Sequence, residues 1–210
     1  MEKHVNNKNR CFALASNNAG KLHEFSQLLM PLDITVIPQS ALNIPPSEEP
    51  FLSFVENALF KARHTAQASG LPTLADDSGL CVPALNGAPG IYSARYAGDT
   101  ARDSDNNIKL VNALQDKIYR PARYVCVLVW MRHASDPLPL IAQGIWEGEI
   151  IDDPRGHNGF GYDPHFFIPS LGCTAAELSS EHKNKISHRA QAMHALLTAL
   201  HQTNDSNYSH

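Results

Sequence analysis

Apolar residues fall into short runs and helical stripes, separated by polar segments rich in glycine and proline. Residues 11–15, Cys-Phe-Ala-Leu-Ala, form a compact apolar run that stops at the polar stretch 16–21. Beyond it Leu22, Phe25, Leu28 and Leu29 recur at helical spacing, which predicts strand, loop and helix. Residues 32–37 read as a second strand closed by Pro38, and the proline-rich acidic stretch 44–50 as an irregular loop. Ser53 and Glu56 have capping-box spacing, opening a helix through Phe54, Val55, Leu59, Ala62 and Ala66 that stops at Gly70. Residues 73–76 predict a strand that breaks at Asp77-Ser78-Gly79, and Ile108, Val111, Leu114 and Ile118 mark a further helix. Residues 123–131 carry the strongest strand signal, turning at Asp136-Pro137 into an antiparallel partner around 139–151. A loop rich in Gly, Asp and Pro spans 152–165. Ile186, Ala190, Met193, Leu197 and Leu200 then predict one closing amphipathic helix. No repeat or linker divides the pattern, so residues 1–210 read as one mixed α/β domain with a core over about 11–200 and polar extensions.

Composition narrows the classes. With 18% charged residues and a net charge of −4, the chain has no broad cationic footprint for a nucleic-acid backbone or an anionic membrane. The N-terminal Met-Glu-Lys-His-Val-Asn-Asn-Lys-Asn-Arg is followed by only five residues before Ser16, short of the about 7–15 apolar residues of a secretory core, and no stretch approaches the ~20 of a membrane span. The expected setting is the cytoplasm. Cys11, Cys81, Cys126 and Cys173 show no C-x-x-C spacing and read as buried thiols in a reducing compartment.

Four segments carry candidate chemistry. Ser16-Asn17-Asn18-Ala19-Gly20-Lys21, between a strand and a helix, offers free amides, a glycine and a lysine to an anion such as phosphate. The bland reading is an N-cap and a solvated lysine, and the spacing is not that of a Walker loop. Glu48-Glu49 and Asp76-Asp77 supply the hard carboxylate oxygens that magnesium selects, although an acidic loop can simply be solvated. Successive strand residues point to opposite faces, so one aspartate can face a cleft. Gly156 to Pro164 surrounds Phe160 and Tyr162 with glycines, which suits either a base-stacking platform or a tight turn. Glu181 to Arg189 gathers Lys183, Lys185, His188 and Arg189 near a helix start, for phosphate, a base edge or only water.

Taken together these parts resemble the inosine triphosphate pyrophosphatase family, the dITP/XTP pyrophosphatases. The resemblance rests on S-N-N-A-G-K (16–21), F-V-E-N-A-L-x-K-A (54–62), L-A-D-D-S-G-L (74–80), G-A-P-G-I-Y-S-A-R-Y (87–96), G-F-G-Y-D-P (159–164) and I-S-H-R (186–189). It implies an elongated, curved mixed sheet flanked by helices in two lobes, with a nucleotide cleft between them, and a homodimer. It implies hydrolysis of ITP, dITP and XTP to monophosphate and pyrophosphate with Mg²⁺. Ser16 to Lys21 would hold the triphosphate, Glu49 and Asp77 the metal, and Asp77 would also accept a proton. Ser78 would touch substrate, Phe160, Gly161, Tyr162 and Asp163 would line the base and sugar pocket, and Lys183, His188 and Arg189 would complete it. A pyrophosphatase for other modified nucleotides and a non-catalytic nucleotide-binding protein are the alternatives. The latter is expected to lack a metal carboxylate, whereas Glu49, Asp76 and Asp77 are all present.

Overall fold

A computed structural model of the chain describes residues 10–205, so the polar extensions at 1–9 and 206–210 lie outside the described range. Its strands are β1 (Arg10–Leu14), β2 (Ile34–Pro38), β3 (Thr73–Cys81), β4 (Pro121–Met131), β5 (Leu140–Ile150), β6 (Phe166–Ile168) and β7 (Cys173–Thr174). They form one mixed sheet in the order β2-β1-β3-β4-β5-β6-β7. β1 runs parallel to β2 and β3, and the other neighbours are antiparallel. The helices are α1 (Ala19–Leu29), α2 (Phe54–Ser69), α3 (Asp103–Ala113), α4 (Ser180–Ile186) and α5 (His188–Asp205). The expected α/β class, with helices flanking a mixed sheet, is present. Among the described residues no helix is long and apolar enough to cross a membrane.

Alternation along the strands decides which helix covers which face. Phe12, Leu14, Leu74 and Leu128 face α1 and α5, packing on Phe25, Leu29, Met193 and Leu196. Ala75, Val127, Val129 and Met131 face the other way and meet Ala58, Ala62 and Ala66 of α2. A third cluster joins Leu80, Tyr124, Trp146 and Phe166 to Leu110 of α3. Each large side chain buried this way contributes about 1.5–3 kcal/mol. Ser53 caps α2, its hydroxyl accepting from the Glu56 amide, and Gly70 closes the helix at φ 68°.

Several elements differ from their sequence pattern. The strand does not break at Asp77-Ser78-Gly79: β3 continues to Cys81 because β4 pairs with it throughout, from Thr73 opposite Met131 to Cys81 opposite Arg123. The third helix starts earlier than its apolar residues suggest. Leu110 and Leu114 are its buried contacts, whereas Ile108 is exposed and Ile118 lies beyond the helix in solvent. The closing helix is two helices, broken at Ser187, whose ψ of 162° is extended. All four cysteines are free thiols, but only Cys126 is buried; Cys11, Cys81 and Cys173 are half-buried.

Candidate active site

The site follows from where β1 ends. β1 pairs with β3 only through Thr73 and Leu74, so from Ala75 to Ser78 β3 has β4 on one side and no strand on the other; further on, Leu80 N donates to Ser93 Oγ and Cys81 bridges to Pro89. The chain leaves β1 through Ser16-Asn17-Asn18 and turns into α1. A cleft of about 280 Å³ opens there, between this loop, β3, the 159–163 loop and the start of α5. Because the β3 edge is open, side chains from both its faces border the cleft region. Asp76 and Ser78 stand on the face covered by α1 and α5, and Asp77 on the face covered by α2.

On the α2 side, Lys61 donates to Asp77 Oδ1 and to Glu49 Oε1, each at 2.8 Å. Arg95 donates to Glu49 Oε2 at 2.9 Å, while Glu48 is exposed to solvent. The two carboxylates on Lys61 are not equivalent. Burial raises the Asp77 pKa and Lys61 offsets this only in part. Burial acts the same way on Glu49, but there Lys61 and Arg95 prevail and hold its pKa below the usual value. Glu49 is thereby the stronger acid and Asp77 the stronger base. Desolvation opposes the charge on Lys61, yet Asp77, Asp76 and Glu49 outweigh it and raise its pKa.

On the opposite face Lys21 lies 2.7 Å from Asp76, and the Ser78 hydroxyl donates to the same Asp76 oxygen at 3.1 Å. Burial disfavours the Asp76 anion, but Lys21 and Arg189 hold its pKa at about 2. Asn18 caps α1, its side chain accepting from the Lys21 amide at 3.0 Å. Ser16 Oγ accepts from the Asn18 amide at 3.2 Å.

The far end is a buried ionic and aromatic cluster. Arg189, only 2% exposed, pairs with Glu24 and donates to Ser78 Oγ at 3.1 Å. Lys183 reaches Asp163 at 2.6 Å and Glu24 at 3.1 Å. Asp163 also accepts from the Phe160 amide and the Tyr124 hydroxyl, which ties the 159–163 loop to the sheet. The His188 ring stacks on Tyr124, with centroids 4.7 Å apart and planes 7° from parallel. Burial pushes its pKa well below the usual value, and Arg189 and Lys183 push it the same way. His188 Nδ1 and Arg189 Nε are buried without a hydrogen-bond partner.

Comparison with known proteins identifies the scaffold. The sequence pattern of the Ham1 family matches residues 12–199. The chain belongs to the Ham1 family. A dITP/XTP pyrophosphatase of Ralstonia nicotianae is 59% identical over 194 residues, covering 91% of this chain and 96% of that protein. One from Neisseria meningitidis serogroup B is 60% identical over 188 residues, covering 89% and 94%. The structure of a HAM1 protein from Coxiella burnetii superposes with a TM-score of 0.85 at 51% identity, over 92% of this chain and 99% of that one.

In this Ham1-family cleft most residues singled out from the sequence come together. Ser16, Asn17, Asn18, Lys21, Glu49, Ser78, Phe160, Gly161, Tyr162, Asp163, Lys183, His188 and Arg189 all line it, and Asp77 meets it through Lys61. Three assignments change. Ala19 and Gly20 do not line the cleft; a Cβ on Gly20 would lie 2.6 Å from the Phe160 ring, so this glycine seats that ring. Tyr162 is built into the core rather than offered as a stacking platform, since the residue is 3% exposed and its hydroxyl donates to the Ser93 carbonyl at 2.7 Å. Phe160 is half-buried, with Lys183 and Arg189 over its ring. Lys185 pairs with Glu181 on the surface, away from the site.

Lys61, Glu24, Arg95 and Tyr124 carry no site role in the sequence pattern, although Lys61 and Arg95 stand within the motifs at 54–62 and 87–96. A signal existed for Lys61: Asn57, Lys61 and Thr65 recur every four residues among the alanines of α2, a polar stripe on its buried face. Glu24 likewise lies three residues after Lys21, beside Phe25 on the buried face of α1. Arg95 sits within a motif, and Tyr124 within a strand, whose pattern does not say what they touch.

Proposed function

We propose that this protein hydrolyses non-standard purine nucleoside triphosphates (ITP, dITP and XTP) to the monophosphate and pyrophosphate, with Mg²⁺ bound by Glu49 and Asp77. The observation that carries this reading is the open edge of β3. It sets a carboxylate–lysine centre on one face against a buried cationic and aromatic pocket on the other. The names of the relatives support the substrate class. The donor set suits the metal, because magnesium takes one or two protein carboxylates and completes its shell with water and phosphate. When bound, the ion would neutralise phosphate charge and polarise the phosphoryl group.

The chain's own residues divide the rest of the work. The amides and side chains at the start of α1, together with Lys21, bind the phosphates. Asp77, whose proton affinity is raised by burial, accepts the proton of a water attacking the α-phosphorus. The α–β phosphoanhydride bond breaks, and Lys21 and Lys61 stabilise the departing pyrophosphate. Phe160 stacks on the base. Arg189 has donors only and favours O6 of hypoxanthine or xanthine over the 6-amino group of adenine. A homodimer in the cytoplasm belongs to the same proposal; sedimentation would read twice the 23.1 kDa chain mass. The test is a panel of ITP, dITP, XTP, ATP, GTP and dTTP, with and without magnesium, separating pyrophosphate from orthophosphate. Orthophosphate as the sole inorganic product, or full turnover in excess chelator, defeats the proposal.

A further inference from the structure

Gly144 lies near the middle of β5, opposite Cys126, on the face covered by α5. A Cβ there would stand 2.0 Å from the His188 carbonyl oxygen, 2.6 Å from the Ala192 amide nitrogen and 3.0 Å from Gln191 Cβ. Two of these atoms are helix backbone, which cannot rotate aside, so a side chain at 144 would have to lift the first turn of α5 off the sheet. That turn carries His188 and Arg189. It is anchored at its start by Ser187, whose Oγ accepts from the Ala190 amide at 3.3 Å and whose carbonyl accepts from the Gln191 amide at 2.9 Å. The stack of His188 on Tyr124 and the hydrogen bond from Arg189 to Ser78 are therefore set by how closely α5 approaches β5. Gly144 itself does not line the cleft.

We propose that Gly144 is a positioning residue for base discrimination: its missing side chain fixes the depth at which His188 and Arg189 stand in the cleft. The inference rests on the function proposed above and adds a residue that never touches substrate. Lys21, Lys61, Glu49 and Asp77 are carried by α1, α2, β3 and the 44–50 loop rather than by α5, so lifting α5 disturbs the base end first.

The test is Gly144→Ala, with steady-state kinetics on ITP and ATP. The expected result is a ten- to hundredfold fall in kcat/KM for ITP, the scale of an ångström-sized misplacement, with a rise in KM exceeding the fall in kcat. ATP should change little, so the ratio between the substrates collapses. Met131→Ala is the control: Met131 is fully buried at the end of β4 in the cluster against α2, on the face away from α5. It should lower Tm and leave the ratio intact. An unchanged ratio in Gly144→Ala, or an equal collapse in Met131→Ala, overturns the inference. If Gly144→Ala yields no folded protein, Ser187→Gly probes the same seat from the helix side: a lower ratio supports the inference and an unchanged one overturns it. A wild type that releases no pyrophosphate from ITP overturns the proposed function instead.

Discussion

Replacing Lys61 by Met should expose the electrostatic centre of the site more sharply than any other single change. The substitution keeps much of the side chain's bulk but removes the one cation shared by Asp77 and Glu49, 2.8 Å from each. Stranding a buried partner of an ion pair costs about 3–5 kcal/mol. The lower end applies here, because Glu49 keeps Arg95 at 2.9 Å and its side chain is 26% exposed. For a chain of this size about 3 kcal/mol lowers Tm by roughly 6–12 °C. The loss should depend on pH in one direction. Burial already raises Asp77, and without Lys61 its folded pKa rises further above the unfolded value. A carboxyl with a raised folded pKa contributes most below its unfolded pKa, and that contribution is lost as pH rises through the folded pKa. The gap in Tm between wild type and Lys61→Met should therefore be widest near neutrality and shrink on acidification, as Asp77 takes up a proton. Thermal unfolding of both proteins from pH 4.5 to 8 reads this directly. A gap that is constant with pH, or below about 2 °C throughout, would refute the assignment of Lys61 as the counter-charge of Asp77.

Other expectations separate the two faces of β3. Asp77→Asn should lower turnover at least a hundredfold, the general-base contribution being about 10²–10⁴, with the fold retained by circular dichroism; near-normal turnover there, combined with its loss in Asp76→Asn, would reverse the two roles. Arg189→Ala should reduce kcat/KM for ITP far more than for ATP, whereas an equal loss for both substrates would mark Arg189 as a structural or phosphate-holding residue. His188, kept neutral by burial and by Arg189 and Lys183, should show an imidazole NMR signal that does not titrate between pH 5 and 8. A midpoint in that window would contradict the buried stack on Tyr124.

Much of the fold was legible because its periodicities are long and clean, as in β4 and β5. The cleft's position was less so. Carboxylates interrupt an apolar pattern, so Asp76-Asp77 reads in the sequence as the end of a strand. In fact β3 continues, because each buried carboxylate meets a cation, and the opening arises from β1 stopping at Leu14. Counting apolar positions alone also hid Lys61 and Glu24, whose buried charges lie on the core-facing sides of α2 and α1. The break at Ser187 was invisible to the spacing of residues 186–200, since Ile186 falls on the helical period yet belongs to α4 and packs with the third cluster. Phe160 and Tyr162 look alike in the sequence, and burial together with the hydrogen bond from Tyr162 to Ser93 is what separates them.

The central claim is attack by water at the α-phosphorus of a non-standard purine triphosphate. It is tested most directly by a single turnover of ITP in ¹⁸O-labelled water, with the label located by mass spectrometry. One ¹⁸O in the inosine monophosphate and none in the pyrophosphate is the predicted result. Label in the pyrophosphate, or in released orthophosphate, would contradict it.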